Sequence, residues 1–262
     1  MESSNLSEKA IVRINTWAQV HLLRQGERWE EQVDRFEALR QSIQPLLQNL
    51  GFIDAAFPHF SEYRGAIVHG GLLSRVRLRL HYLVKLWENG LKFEYLYFLS
   101  GQRPLEREQE GVASLVSGEG SPLKMRIDFP LPKQFPTTEC EMTQFVWAQS
   151  EIPQTMRQEV EVHFIDAPMK TGSSSTTLLR PTTDDTVKYW LQENPPYGRY
   201  LAITNAPYMN RQDLVIRTLA PKGYGFDTVG SGANEQEKIA IIIDELARSI
   251  FQMDRLSCLQ QN

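Results

Sequence analysis

Apolar positions along the chain recur in two rhythms, and the change from one to the other divides it. Over residues 7–50 they follow helical spacing. Ile11, Ile14, Trp17 and Ala18 stripe a first helix that Gly26 breaks. Trp29, Val33, Phe36, Ile43, Leu47 and Leu50 stripe a second, with Gly51 placed as its stop. From Gly65 short apolar runs alternate with amphipathic stretches, the pattern of a parallel α/β sheet. The runs are Ala66–Val68, Tyr95–Leu99, Val160–Ile165 and Tyr200–Ile203, with a weaker fifth at Phe226–Val229. The spacing predicts helices over 72–89, 138–150, 183–193 and 208–220. A last helix is predicted from Asn234, its cap, to Met253.

The expected fold class is α/β: a Rossmann-like three-layer parallel sheet of about five strands with an added N-terminal helical region. The expected division is a helical region over 1–60 packed on the core, an α/β domain over 61–232 and a C-terminal helix over 233–262. Right-handed crossovers suit the strand order 3-2-1-4-5, which sets strand one beside strand four. Ligands of such sheets bind beyond the carboxyl ends of the strands, where the order reverses. The segments 101–136 and 167–182 are rich in Gly, Pro, Ser and Thr and long for connections, which points to functional loops.

Polar clusters fall where that rule needs them. Strand one ends in His69-Gly70-Gly71, ahead of a helix with Arg75 and Arg79 on one face. Paired glycines let backbone N–H groups approach a ligand, and the helix amino end favours an anion. Strand two ends in Ser100-Gly101, followed by Arg103, a candidate clamp for phosphate or carboxylate. Strand four ends in Thr204-Asn205; Pro207 suits a first helical turn, Tyr208 offers a hydrogen bond, and Arg211 lies one turn on. Replacing Arg211 with Ala is expected to weaken ligand binding with little loss of stability.

Two helix starts add carboxylates. Glu139, in Thr137-Thr138-Glu139-Cys140-Glu141, is either a favourable acidic residue at a helix start or a buried carboxylate that pairs with an arginine or acts as a base. Asp185-Thr186 opens the helix before strand four, where Thr183 or Asp184 is the alternative cap. Glu139 and Asp185 are the catalytic candidates. His69, Gly70, Gly71, Arg75, Ser100, Gly101, Arg103, Thr186, Thr204, Asn205, Tyr208 and Arg211 are the ligand-binding ones.

Composition narrows the field. A net charge of -4 argues against a nucleic-acid or anionic-membrane binder. Two cysteines without CxxC spacing are too few for a disulfide framework and fit a reducing compartment. Cys140 reads as a small buried hydrophobe. No apolar run approaches the length of a membrane span, and residues 1–10 lack the apolar core of a secretory leader, so a soluble, cytoplasmic protein is expected. GxxxxGK[ST], GxGxxG and GxSxG are all absent. The five histidines lack metal-ligand spacing, so no metal is expected.

The order of these motifs from Gly65 to Asn234 resembles the YdcF/SanA/ElyC-like family of α/β domains. The residues that carry it are His69-Gly70-Gly71, Arg75, Ser100-Gly101, Glu139, Asp185-Thr186, Thr204-Asn205 and Arg211. The resemblance implies a Rossmann-like fold and a polar pocket for a nucleotide-type ligand such as S-adenosylmethionine, with no established reaction. The family has Asn-Thr where this chain has Asp185-Thr186, and a His where it has Tyr208; a tyrosine, with an unperturbed pKa of about 10, suits proton transfer poorly. The expected partner is a small anionic or nucleotide-type ligand, bound by an enzyme acting on a phosphorylated or nucleotide-linked substrate. A non-catalytic ligand sensor and a protein-interaction module, working through the helical amino region and terminal helix, are the alternatives.

Overall fold

Strand β1 (Glu62–His69) lies at the middle of a parallel sheet, which explains why Gly65–Val68 is an unbroken run of glycine and apolar residues. The computed structural model describes residues 2–24, 35–172 and 178–259. Gly26, Trp29, Val33 and the serine run from Ser173 lie outside the described residues. The other strands are β2 (Lys92–Gly101), β3 (Glu161–Ala167), β4 (Lys170–Thr171), β5 (Leu178–Leu179), β6 (Gly198–Asn205) and β7 (Tyr224–Ser231). The main sheet runs β3-β2-β1-β6-β7, so strand one does sit beside the fourth long strand, as right-handed crossovers require. β4 and β5 form a separate antiparallel pair inside the long 167–182 connection.

The helices are α1 (Glu2–His21), α2 (Arg40–Asn49), α3 (Leu73–Glu88), α4 (Arg107–Glu110), α5 (Val112–Val116), α6 (Glu139–Gln149), α7 (Gln154–Glu159), α8 (Thr183–Gln192), α9 (Met209–Leu219) and α10 (Ile239–Leu259). Gly51, at φ 76°, follows α2 as the predicted stop. Several starts differ from expectation for local reasons. Asn234 does not cap the last helix: its side chain accepts from Gln236 N–H two residues on, which makes a turn instead. Pro207 stands before α9, after a cis Ala206–Pro207 bond, rather than in its first turn. The cap of α8 is Thr182, one residue before the candidates, because Asp185 completes a capping box with it.

The chain forms two compact units. The larger, Phe57–Thr204 with Leu219–Gly230, holds the sheet. Side-chain alternation along its strands builds three layers. Ala66, Val68, Leu96, Phe98, Leu201 and Ile203 pack with Val76, Leu80, Leu83 of α3 and Met142, Val146 of α6. The alternate positions Tyr97 and Tyr200 meet Trp190 of α8 edge to face, at 6.0 and 5.2 Å. Each such side chain removed from water contributes roughly 1.5–3 kcal/mol.

The smaller unit is Met1–Ala56, Asn205–Thr218 and Ser231–Asn262. There α1 lies along α10, with Ala18 fully buried and Asn15 donating to Asp254 at 2.7 Å. Leu47, Phe52, Ile239, Ile242 and Ile243 form its apolar centre. Among the described residues, no helix is long and apolar enough to cross a membrane.

Candidate functional site

At the carboxyl ends of β1 and β2 the strand pairing continues one residue beyond His69, with Gly70 N–H donating to Leu99 O at 2.8 Å. Gly70 is there because nothing larger fits. A Cβ would run into the Glu139 carboxylate and stand 2.7 Å from the Leu99 carbonyl oxygen. Gly101, at the end of β2, is constrained in the same way, since its Cβ would stand 2.5 Å from Pro181 and 2.6 Å from Ala167 O. Gly71 backs onto Arg75, whose Cβ would be 3.3 Å away. The glycines predicted to admit a ligand admit neighbouring protein atoms.

Glu139 is the first residue of α6, held by a Thr138–Glu141 capping box and by its own N–H donating to Arg103 O at 2.9 Å. Its side chain is 12% exposed, so it is sequestered but still reachable. Burial raises its pKa, the nearby Glu110 charge adds to the rise, and Arg103 together with the Gly71 N–H pulls it back. The net shift is upward, which brings proton exchange closer to neutrality and suits an acid or base.

Arg103 was the expected anion clamp, but all five of its N–H donors are already engaged. Nη1 and Nη2 bind Glu110 Oε2 and Oε1 at 2.7 and 2.9 Å. The remaining bonds go to Glu139 Oε2 at 3.3 Å, Pro104 O at 3.0 Å and Gly71 O at 3.3 Å. Burial pulls the guanidinium pKa down, but the bonds and charges of Glu110 and Glu139 outweigh it and the net shift is upward. Glu110 also accepts from Leu73 N–H, the first residue of α3, at 3.2 Å. The helix amino end expected to receive a ligand's anion thus receives a carboxylate of the chain itself.

The same strand ends gather a second polar group. Ser100 Oγ donates to Ile165 O at 3.0 Å, and Gln102 reaches Asp166 at 3.2 Å. Cys140 lies among them; burial, opposed by Ser100 and reinforced by Asp166 and the Glu139 charge, pushes its thiol up to about 11. Asp166 and Glu110 escape the sequence reading. Asp166 stands at a strand end, the position that singled out the others, whereas Glu110 ends the short helix α4 inside the 101–136 connection, with no motif around it.

No family model matches the chain, and no curated protein or solved structure shows significant similarity to it.

The remaining candidates take up separate tasks. Arg79 donates to the carbonyls of His69, at 2.9 Å, and Gly70, and so secures the turn. Arg75 is half-buried in the first turn of α3. Thr204 is buried at the end of β6, one step beyond the Val68–Ile203 pairing with β1. Asp185 accepts from Thr182 N–H and Oγ at 2.7 and 2.6 Å and from Lys170 Nζ at 2.6 Å. Burial opposes ionisation there, but those bonds prevail and the pKa falls. Such a carboxylate is a cap, not a poised base. Thr186 bonds back to Thr183 O within α8.

Asn205, Tyr208 and Arg211 belong to the smaller unit. The Asn205 side chain donates to Ala206 O at 2.7 Å, and Tyr208 N–H closes a turn onto Asn205 O at 2.9 Å. Arg211 pairs with Glu245 of α10 at 2.5 Å, with both side chains buried. The structure therefore brings Gly70, Gly71, Arg75, Ser100, Gly101, Arg103 and Glu139 to one rim of the sheet. It places Asp185 in the cap of α8, Thr186 in a bond within that helix, and Arg211 in an ion pair. Among the described residues no three His, Cys, Asp or Glu side chains converge as a metal-binding group.

Proposed function

We propose that this chain binds a small anionic or nucleotide-type ligand at the carboxyl ends of β1, β2 and β3, with Glu139 as its proton-transfer group. The observation that carries this reading is Glu139 itself: a largely buried carboxyl of raised pKa, seated against Gly70 where parallel sheets take their ligands. Its protonated form is neutral, so it tolerates a neighbouring phosphate and can donate to it. Arg75, beside Gly71, supplies the compensating charge. The substrate class is a phosphorylated or nucleotide-linked small molecule, and S-adenosylmethionine is the nucleotide that the likeness to the YdcF/SanA/ElyC-like family puts forward. A cytoplasmic setting belongs to the same reading, in keeping with Cys140 and Cys258 forming no disulfide.

A panel of nucleotides, sugar phosphates and S-adenosylmethionine, followed by thermal shift and by turnover, tests it. A ligand at 100 times its Kd adds about 2.7 kcal/mol of stability. Glu139→Gln should retain binding and abolish turnover. A panel without any shift removes the reading.

A ligand sensor without chemistry is the second reading, favoured by the engagement of Arg103 and Asp185 in bonds within the protein. Binding without turnover, unchanged by Glu139→Gln, selects it.

A further inference from the structure

At the amino ends of β1 and β6, away from Glu139, lies a histidine held by a carboxylate. His59 Nδ1 is 2.7 Å from Asp227 Oδ1, and His59 N–H donates to Asp227 Oδ2 at 2.7 Å. Tyr63 OH donates to the same Oδ2 at 2.5 Å. Asp227 is buried on β7; burial disfavours its charge, but these three bonds prevail and its pKa falls, so it stays ionised. The imidazole it holds is 78% exposed at the side chain. With Nδ1 committed to Asp227, Nε2 is the nitrogen left to meet a ligand.

Anchoring alone does not account for this arrangement. The His59 backbone N–H and the Tyr63 hydroxyl already tie residues 59–63 to Asp227. The ring bond adds little burial, yet it fixes a solvated side chain in one orientation, a cost in rotamer freedom. On the next residue, Phe60, the Arg199 guanidinium lies 3.6 Å over the ring and has no carboxylate partner among the described residues. Phe60 and Phe57 are exposed at 46% and 69%, so an imidazole, a guanidinium and apolar surface are presented together.

We propose that His59 and Arg199 form a second binding site, for a phosphate monoester carried on an apolar or aromatic group. The guanidinium can take two oxygens of a phosphate bidentately, which leaves a third for His59 Nε2. The imidazolium donates to that oxygen; the neutral ring accepts from a P–OH. A carboxylate has no third oxygen, so the pair distinguishes the two anions. Asp227 holds the ring and Tyr63 shares that carboxylate, while Arg199 lies over Phe60, the next residue along. This site is independent of the ligand assigned to Glu139.

The test titrates phenyl phosphate, inorganic phosphate and benzoate into the full chain while following the His59 ring by long-range 1H–15N correlation. The free protein should show the Nδ1–H tautomer whenever the ring is neutral. Phenyl phosphate should shift the His59 signals and bind more tightly than benzoate. His59→Ala and Arg199→Ala should each weaken it by about tenfold or more. Glu139→Gln should leave this binding unchanged, which separates the two sites. His59→Ala should keep the thermal midpoint of the parent. The proposal fails if millimolar phenyl phosphate leaves the His59 signals in place, if benzoate binds better, or if Arg199→Ala has no effect. It fails equally if His59→Ala lowers the midpoint, since the ring would then be an anchor.

Discussion

Arg103 and Glu110 meet as a two-pronged pair, Nη1 to Oε2 at 2.7 Å and Nη2 to Oε1 at 2.9 Å, with the Glu110 side chain wholly buried. The pair closes the amino end of α3 and turns an apparent ligand clamp into part of the wall. Removing Arg103 strands the buried Glu110 carboxylate, which costs about 3–5 kcal/mol, and removing Glu110 leaves Arg103 with Glu139 alone. Glu110→Gln and Arg103→Met should each unfold in urea at clearly lower concentration than the parent. Replacing both, as Arg103→Met with Glu110→Met, should recover much of the loss. Additive losses would mean that the two side chains act independently.

Glu139 gives a pH signature. Its folded pKa is raised, so folding favours the protonated carboxyl. That stabilisation is complete below the ordinary value of 4.5 and is lost as pH rises through the raised value. Glu139→Gln stays neutral throughout. The parent should therefore lose stability relative to the variant as pH climbs from 4.5 towards neutrality. Urea midpoints of both proteins across that window measure it, and a constant gap contradicts it.

Gly70→Ala should destabilise the chain by roughly 1–3 kcal/mol, the usual cost of overpacking. The new Cβ meets the Glu139 carboxylate and stands 2.7 Å from Leu99 O. Because the second obstacle is backbone, combining the change with Glu139→Ala should relieve only part of the loss. Full rescue would show that the backbone can yield.

Arg211→Ala reverses the expectation drawn from the sequence. Arg211 is buried against Glu245 of α10, so its loss strands a carboxylate in the interior. The expected cost is about 3–5 kcal/mol, read by chemical denaturation. A variant of unchanged stability would restore Arg211 to the ligand-binding set.

The apolar pattern by itself determined the fold. Five runs, among them Ala66–Val68 and Tyr200–Ile203, were long enough for strands, and the stretches between them carried helical stripes. Handedness then restricted their order, so β1 falls beside β6. Glycine turns and polar groups at strand ends located the rim where Gly70, Ser100 and Glu139 meet. What each polar group does there was decided only in three dimensions. Periodicity records which residues turn inward, because burial of apolar area depends on position alone. An ion pair depends on which partner arrives: Glu110 reaches Arg103 from the end of the short helix α4, seven residues on, and Glu245 reaches Arg211 from a helix 34 residues away. The same holds for His59 and Asp227, which are 168 residues apart and are joined by the sheet.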